Sequence, residues 1–197
     1  SPLFPYKTLF RSSMIYFSCL KVNQRTAWKL PPYDEATVAV EDMTRRLREA
    51  MLIDSFAANW LIVVMPRETS NHENMLTLID GNLSLVAGDM YAFYLSDADG
   101  TLTFDIDGNV TSTGSYLWMA RKPYGETSFT PRKIIGENIH PELNPIDDVT
   151  GLPKPMFRYY PDEVRLWGVE MCVTSTSVVH GESLTQTAGS EVYLRNL

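Results

Sequence analysis

Asp34-Glu35-Ala36-Thr37-Val38-Ala39-Val40-Glu41-Asp42-Met43-Thr44-Arg45-Arg46-Leu47-Arg48-Glu49-Ala50-Met51-Leu52-Ile53 is the stretch whose reading decides how this chain folds. Within it Ala36, Val40, Met43, Leu47 and Ala50 recur at alternating spacings of four and three, which lines them along one side of an α-helix. Asp34 follows Pro31-Pro32 and stands where an N-cap would. The other side sets Glu41 with Arg45, Asp42 with Arg46 and Arg45 with Glu49, each four apart, worth roughly a few tenths of a kcal/mol per pair on a solvated face. The spacing predicts a helix over about 34–53. Met14 to Leu30 offers an earlier helix that would break at the paired prolines, because proline disfavours helix in the residue before it.

From Ala57 onward the period changes to about two, in short runs rich in β-branched and aromatic residues separated by turn chemistry. The expected strands are Trp60–Met65, Met75–Ile79, Met90–Leu95, Thr101–Phe104, Tyr116–Arg121, Lys133–Ile135, Met156–Tyr160, Val164–Thr174 and Ser190–Arg195. Asp99-Gly100 and Asp107-Gly108 supply the positive φ that tight hairpins need, so adjacent strands are expected to be antiparallel. Pro123 to Pro155 holds six of the twelve prolines and reads as loop around one short strand. A striped helix laid on one face of an antiparallel sheet makes an α+β domain, and that is the expected class.

Length and composition set the outer bounds. A chain of 197 residues with 44% hydrophobic residues supports one core and excludes wholesale disorder or a disulfide scaffold. Seventeen Lys and Arg against 24 Asp and Glu give a net charge of -7, the wrong sign for a nucleic-acid partner. Cys19 and Cys172 read as two buried thiols. No run of about 18 uncharged apolar residues is present to span a bilayer. Ser1 to Ser12 has no helical or strand period and closely resembles the peptide made when a sequencing adapter is translated in frame. The expected organisation is therefore a non-native or disordered arm over 1–13, a remnant of an N-terminal helix or linker over 14–33, and a globular domain over 34–197.

Several residue groups are candidates for chemistry, each with a plainer reading beside it. Asp97, Asp99, Asp105 and Asp107 form two Asp-x-Asp-Gly-like units that could offer oxygen ligands to Ca²⁺, but they miss the EF-hand register, and turns favour Asp and Gly for backbone reasons alone. Val179-His180-Gly181-Glu182-Ser183 brings a serine near a histidine without a Gly-x-Ser-x-Gly elbow. His72 and His140 lack the spacing of zinc ligands, and no glycine-rich phosphate cradle is present. Asp147-Asp148 and Asp162-Glu163 read as solvated surface. Trp118, Tyr124, Phe129, Tyr159, Tyr160 and Trp167 could make a stacking platform, although aromatics at alternating strand positions usually fill cores. No metal and no cofactor is expected.

One resemblance is carried by the order of pieces along the chain. Met43-Thr44-Arg45-Arg46-Leu47-Arg48-Glu49-Ala50 closes the helix, and Met90-Tyr91-Ala92-Phe93-Tyr94-Leu95 leads through an Asp-Gly turn to Thr101-Leu102-Thr103. Ile134-Ile135-Gly136-Glu137-Asn138-Ile139, Met156-Phe157-Arg158-Tyr159-Tyr160, Val164 to Met171 and the terminal Leu194-Arg195-Asn196 follow. Together, over about residues 36–197, they resemble the type IV pilin-like family, in particular the J-type minor pseudopilins of type II secretion and the W-type minor pilins. That resemblance implies a pilin-like α+β fold and a non-enzymatic role as a subunit of a bacterial envelope fibre. It implies a place on the periplasmic side of the inner membrane, held by an N-terminal apolar helix not included here. It also implies partners among other minor pilins through the helix and the sheet edge, with Arg45, Arg46 and Arg48 as contact candidates. A different class, a β-rich secreted or capsid-like binding module using the Pro123–Pro155 loop, is the alternative. A hydrolase using His180 and Ser183 is a third.

Overall fold

The computed structural model describes residues 31–70, 73–79, 82–161, 167–179 and 181–194. Its helix, α1, spans Pro31–Glu49. Proline is tolerated in a first helical turn, where its missing N–H has no intrahelical acceptor and its φ is already helical. The paired prolines therefore open α1, and Asp34 lies inside it rather than capping it. The stripe read from the sequence is the side that packs: Ala36, Val40, Met43, Leu47 and Ala50 are all buried, with Ala39 beside them. The helix stops earlier than its periodicity suggests. Ala50 N–H donates to the Leu47 carbonyl at 3.2 Å, and Met51 N–H already reaches the Val64 carbonyl at 2.8 Å. Leu52–Ala57 is strand β1. Ile53 satisfies the helical stripe and the strand alternation equally, and is buried in the same core as Leu47.

The remaining strands are β2 (Trp60–Pro66), β3 (Leu76–Ile79), β4 (Asn82–Leu85), β5 (Ala87–Ser96), β6 (Tyr116–Lys122), β7 (Thr130–Gly136), β8 (Phe157–Pro161), β9 (Trp167–Val179) and β10 (Glu182–Leu194). They form a five-stranded sheet in the order β1-β2-β5-β6-β7, a three-stranded sheet in the order β10-β9-β8, and the β3-β4 hairpin. Every pairing is antiparallel. With 53% strand and 13% helix, the chain is mostly β, which overturns the expected pilin-like α+β class. Strands longer than their apolar runs and two that the sequence reading missed, β1 and β4, account for the difference. Val164–Leu166 of one expected strand and the possible helix over Met14–Leu30 lie outside the described residues.

Helix α1 packs chiefly on β10 and β9 and also touches β7 and β2, so its stripe is shared by both larger sheets. Leu61, Val63, Phe93, Leu117 and Ile135 of the five-stranded sheet and Val169, Met171, Val173, Val192 and Leu194 of the three-stranded sheet close one core around it. The sheets also meet directly, where Phe157 N–H donates to the Ala58 carbonyl at 3.0 Å and the Phe56 and Tyr159 rings lie 4.9 Å apart. Among the described residues no helix is long and apolar enough to cross a membrane.

The five-stranded sheet is covered on its second face too. Trp60, Ile62, Ala92, Tyr94 and Ala120 pack there under Leu102, Val110, Trp118 and Phe129. That is why Trp60–Met65 is an unbroken apolar run without polar alternation. Thr101–Phe104 is not a strand of either sheet: it belongs to a loop laid across this face, and Phe104 makes only a single bridge with Val110. The loop is anchored by the Tyr94 hydroxyl, which donates to the Gly100 carbonyl at 2.6 Å, and by Trp118 Nε1, which donates to the Asp97 carbonyl at 2.9 Å. Burial, then the charge of Asp99, pushes the Tyr94 phenol up to about 12. Gly100, at φ +70°, lies against the Trp118 ring where a Cβ would come within 2.8 Å. If α1 is the element that joins both sheets, Leu47→Ala costs about 2–5 kcal/mol in urea unfolding, while the half-exposed Val38→Ala changes stability by about 0.5 kcal/mol or less. Equal losses would refute that arrangement.

Candidate functional site

The three arginines named from the sequence have separate fates. Arg46 lays its guanidinium 5.1 Å over the Tyr91 ring and reaches Glu49 at 3.8 Å, so it is tied into the fold. Arg45 pairs with Asp42 at 2.7 Å. Asp42 also holds Lys133 of β7 and ties α1 to the five-stranded sheet. The observed pairs are thus three residues apart, not the four expected; Asp42 is shared with Lys133 of β7, and Arg46 with the Tyr91 ring. Arg48 and Glu41 hold no hydrogen bond or ion pair with their side chains among the described residues. Seven positions apart on one flank of α1, they line a groove of about 830 Å³ whose other wall is Thr187–Ser190 of β10. The Thr37 and Thr44 hydroxyls on the same flank are buried without a partner.

Beside that groove, among the described residues, runs a long sheet margin without a strand partner. β10 ends its sheet and pairs with β9 in unbroken register from Glu182↔Val179 to Leu194↔Trp167. It contains no Lys, Arg or Pro. The far margin of the other sheet is blunted by contrast: β7 carries Pro131, Arg132 and Lys133, with two register breaks against β6. β1 has a break at Ile53/Ser55, and β8 abuts the β1–β2 turn. A second groove, of about 660 Å³, lies on the opposite face of β10 and shares Thr187, Gly189 and Ser190 with the first.

That second groove is walled by a loop held in place by charge. The Asp147 carboxylate is 4% exposed, accepts the backbone N–H of Val149 at 2.8 Å and of Thr150 at 3.1 Å, and pairs with Arg158 of β8. The Arg158 bond and the two backbone donors hold its carboxyl down at about 2. Glu170 of β9 accepts from the Tyr160 hydroxyl at 2.7 Å and from Lys154 Nζ at 3.3 Å, which also lowers its pKa. The Asn144 side-chain amide donates to the carbonyls of Lys154 and Cys172. Asp147 is therefore not the solvated residue expected, though Asp148 is exposed. The signal was present in Asp147-Asp148-Val149-Thr150-Gly151, an Asp followed by turn residues that it can cap.

The other sequence candidates do not converge. Asp99 accepts from the N–H and hydroxyl of Thr101, and Asp105 accepts from the N–H groups of Asp107 and Asn109; each is acidified by those bonds. Asp97 contributes its carbonyl to Trp118, and Asp107 its N–H to Asp105. Among the described residues no three His, Cys, Asp or Glu side chains are placed to hold a metal ion. His140 pairs with Glu142 at 2.9 Å. Ser183 is exposed on β10, while His72, His180, Asp162, Glu163, Cys19 and the Trp167 side chain lie outside the described residues. Cys172 is a buried thiol, pushed up by desolvation. The aromatics form no single platform: Trp118 and Phe129 cover the second face of the five-stranded sheet, Tyr159 packs on Phe56, Tyr160 bonds Glu170, and Tyr124 lies under Arg67.

No family model, curated protein or solved structure matches this chain.

The Asp147 clamp has a signed pH dependence. Because folding lowers this carboxyl's pKa, its stabilisation is complete above the unfolded value near 3.8 and is lost as pH falls through about 2. The difference in melting temperature between the wild type and Asp147→Asn is expected to stay constant from pH 7 to about 4 and to shrink below it. A difference that grows on acidification would show that Asp147 is not held ionised.

Proposed function

We propose that this chain is a non-enzymatic structural subunit of a bacterial envelope fibre, of the kind formed by minor pseudopilins of type II secretion or minor type IV pilins. What supports the reading from the sequence is the order of short pieces from residue 36 to 197. What supports it from the fold is one juxtaposition: the helix flank with Arg48 and Glu41, unpaired among the described residues, lies beside the unblunted margin of β10. A subunit that works by assembly needs lateral surfaces of this sort, and here helix and sheet edge offer them together. In this reading an apolar segment upstream of the described residues holds the precursor at the periplasmic side of the inner membrane.

A second reading, a β-rich secreted or capsid-like binding module, draws on the loop clamped by Asp147. That loop turns Leu143, Ile146, Val149 and Leu152 outward, a patch of the type that marks contact sites. The gene in its full context separates the two. The fibre subunit is expected to show a Gly followed by a Phe-Thr-Leu-like start, a Glu five residues into an apolar run, and neighbouring pilin-like genes. An open reading frame whose start lacks such a run would sink the fibre assignment and leave the binding module.

A further inference from the structure

We infer that the β10 margin is a self-association surface, on which a second copy of this chain adds its own β10 antiparallel across a two-fold axis. Three observations meet at residues 187–190. The strand there is regular, uncharged and, among the described residues, unpaired on its outer side, which leaves its outward backbone N–H and C=O groups without a strand partner. Thr187, Ala188, Gly189 and Ser190 are small, so another backbone can come to strand distance without side chains in the way. Grooves open on both faces of this stretch, Thr187, Gly189 and Ser190 lining both, and give room for alternate side chains of an added strand.

The charges select a second copy as the occupant. In a two-fold interface each surface meets itself, so it must be self-complementary. Arg48 and Glu41 are opposite in sign, unpaired among the described residues, and equally spaced about the middle of the groove-lining flank, where Thr44 and Arg45 lie. An axis through that midpoint sets two α1 helices antiparallel and brings Arg48 of each copy toward Glu41 of the other. Strand pairing that sets Gly189 opposite Gly189 of the second copy is compatible with this. It places Ser190 opposite Ala188, Glu191 opposite Thr187 and Tyr193 opposite Thr185, so no like charges face one another across the strands. The product is one continuous six-stranded sheet made from two three-stranded ones.

The inference draws on the same helix flank and β10 margin as the fibre reading but fails separately from it: a monomer would end the self-association without removing an apolar start from the gene, and a gene lacking that start would do the reverse. The test uses the whole 197-residue chain. Light scattering and sedimentation over about 1–100 μM should show a monomer–dimer equilibrium. Arg48→Glu should weaken dimerisation about tenfold or more, Glu41→Arg likewise, and the double variant carrying both should regain wild-type affinity. Amide exchange across 183–193 should slow in the concentrated sample relative to the dilute one. A monomer throughout the range would overturn the inference, as would a dimer indifferent to all three charge variants or one without added protection at β10.

Discussion

Everything in this molecule depends on burying one side of α1 against two sheets at once. Neither sheet closes its own apolar face: the five-stranded sheet presents Leu61, Val63 and Phe93, and the three-stranded sheet presents Val169, Met171 and Val192. Met43 and Leu47, fully buried, fill the space between. Because packed interiors tolerate neither voids nor overlap, the position of the helix fixes the distance between the sheets, and with it the relation of β10 to α1 that creates the grooves. The Asp42–Lys133 pair links α1 to β7 on the solvent side of that packing.

The helix was legible because its stripe is spaced cleanly and its buried residues are small or flexible. Its ends were not. Pro31-Pro32 reads as a break in one register and as a helix start in another, and only tertiary packing chooses. Ile53 fits either period, so where α1 yields to β1 is decided by the hydrogen bond from Met51 to Val64, a partner no local pattern names. The strands from β2 to β9 were largely found because β-branched runs signal them, whereas β4, Asn82–Leu85, has only Leu83 and Leu85 to mark it. The class was misjudged for a related reason. One strong helix draws attention, while strand residues spread over many short, weakly patterned runs add up to the greater part of the chain.

The candidate surface was partly legible. Arg45, Arg46 and Arg48 stood out as a basic run, but sequence could not tell that Arg46 would be spent on Tyr91 and Arg45 on Asp42, leaving Arg48 with Glu41. The openness of β10 is written in what it lacks: no Lys, Arg or Pro over Glu182–Leu194. That absence gains meaning only once β10 is known to end a sheet, which is a fact of topology. Asp147 shows the opposite case, a residue dismissed as surface that organises its loop through bonds to its own backbone and to Arg158.

The contrast between the sheet margins has a further consequence for how such a protein behaves in a crowded compartment. Strand addition propagates without limit only when each unit offers a receptive border and a donating border on opposite sides. Here Pro131, Arg132 and Lys133 close off one side, and the abutment of β8 on the β1–β2 turn closes another. Of the described borders of the two larger sheets, β10 alone is left unblocked, and strand addition confined to it ends after one joining, which guards a chain this rich in strand against amyloid-like ribbons while other surfaces stay free for assembly.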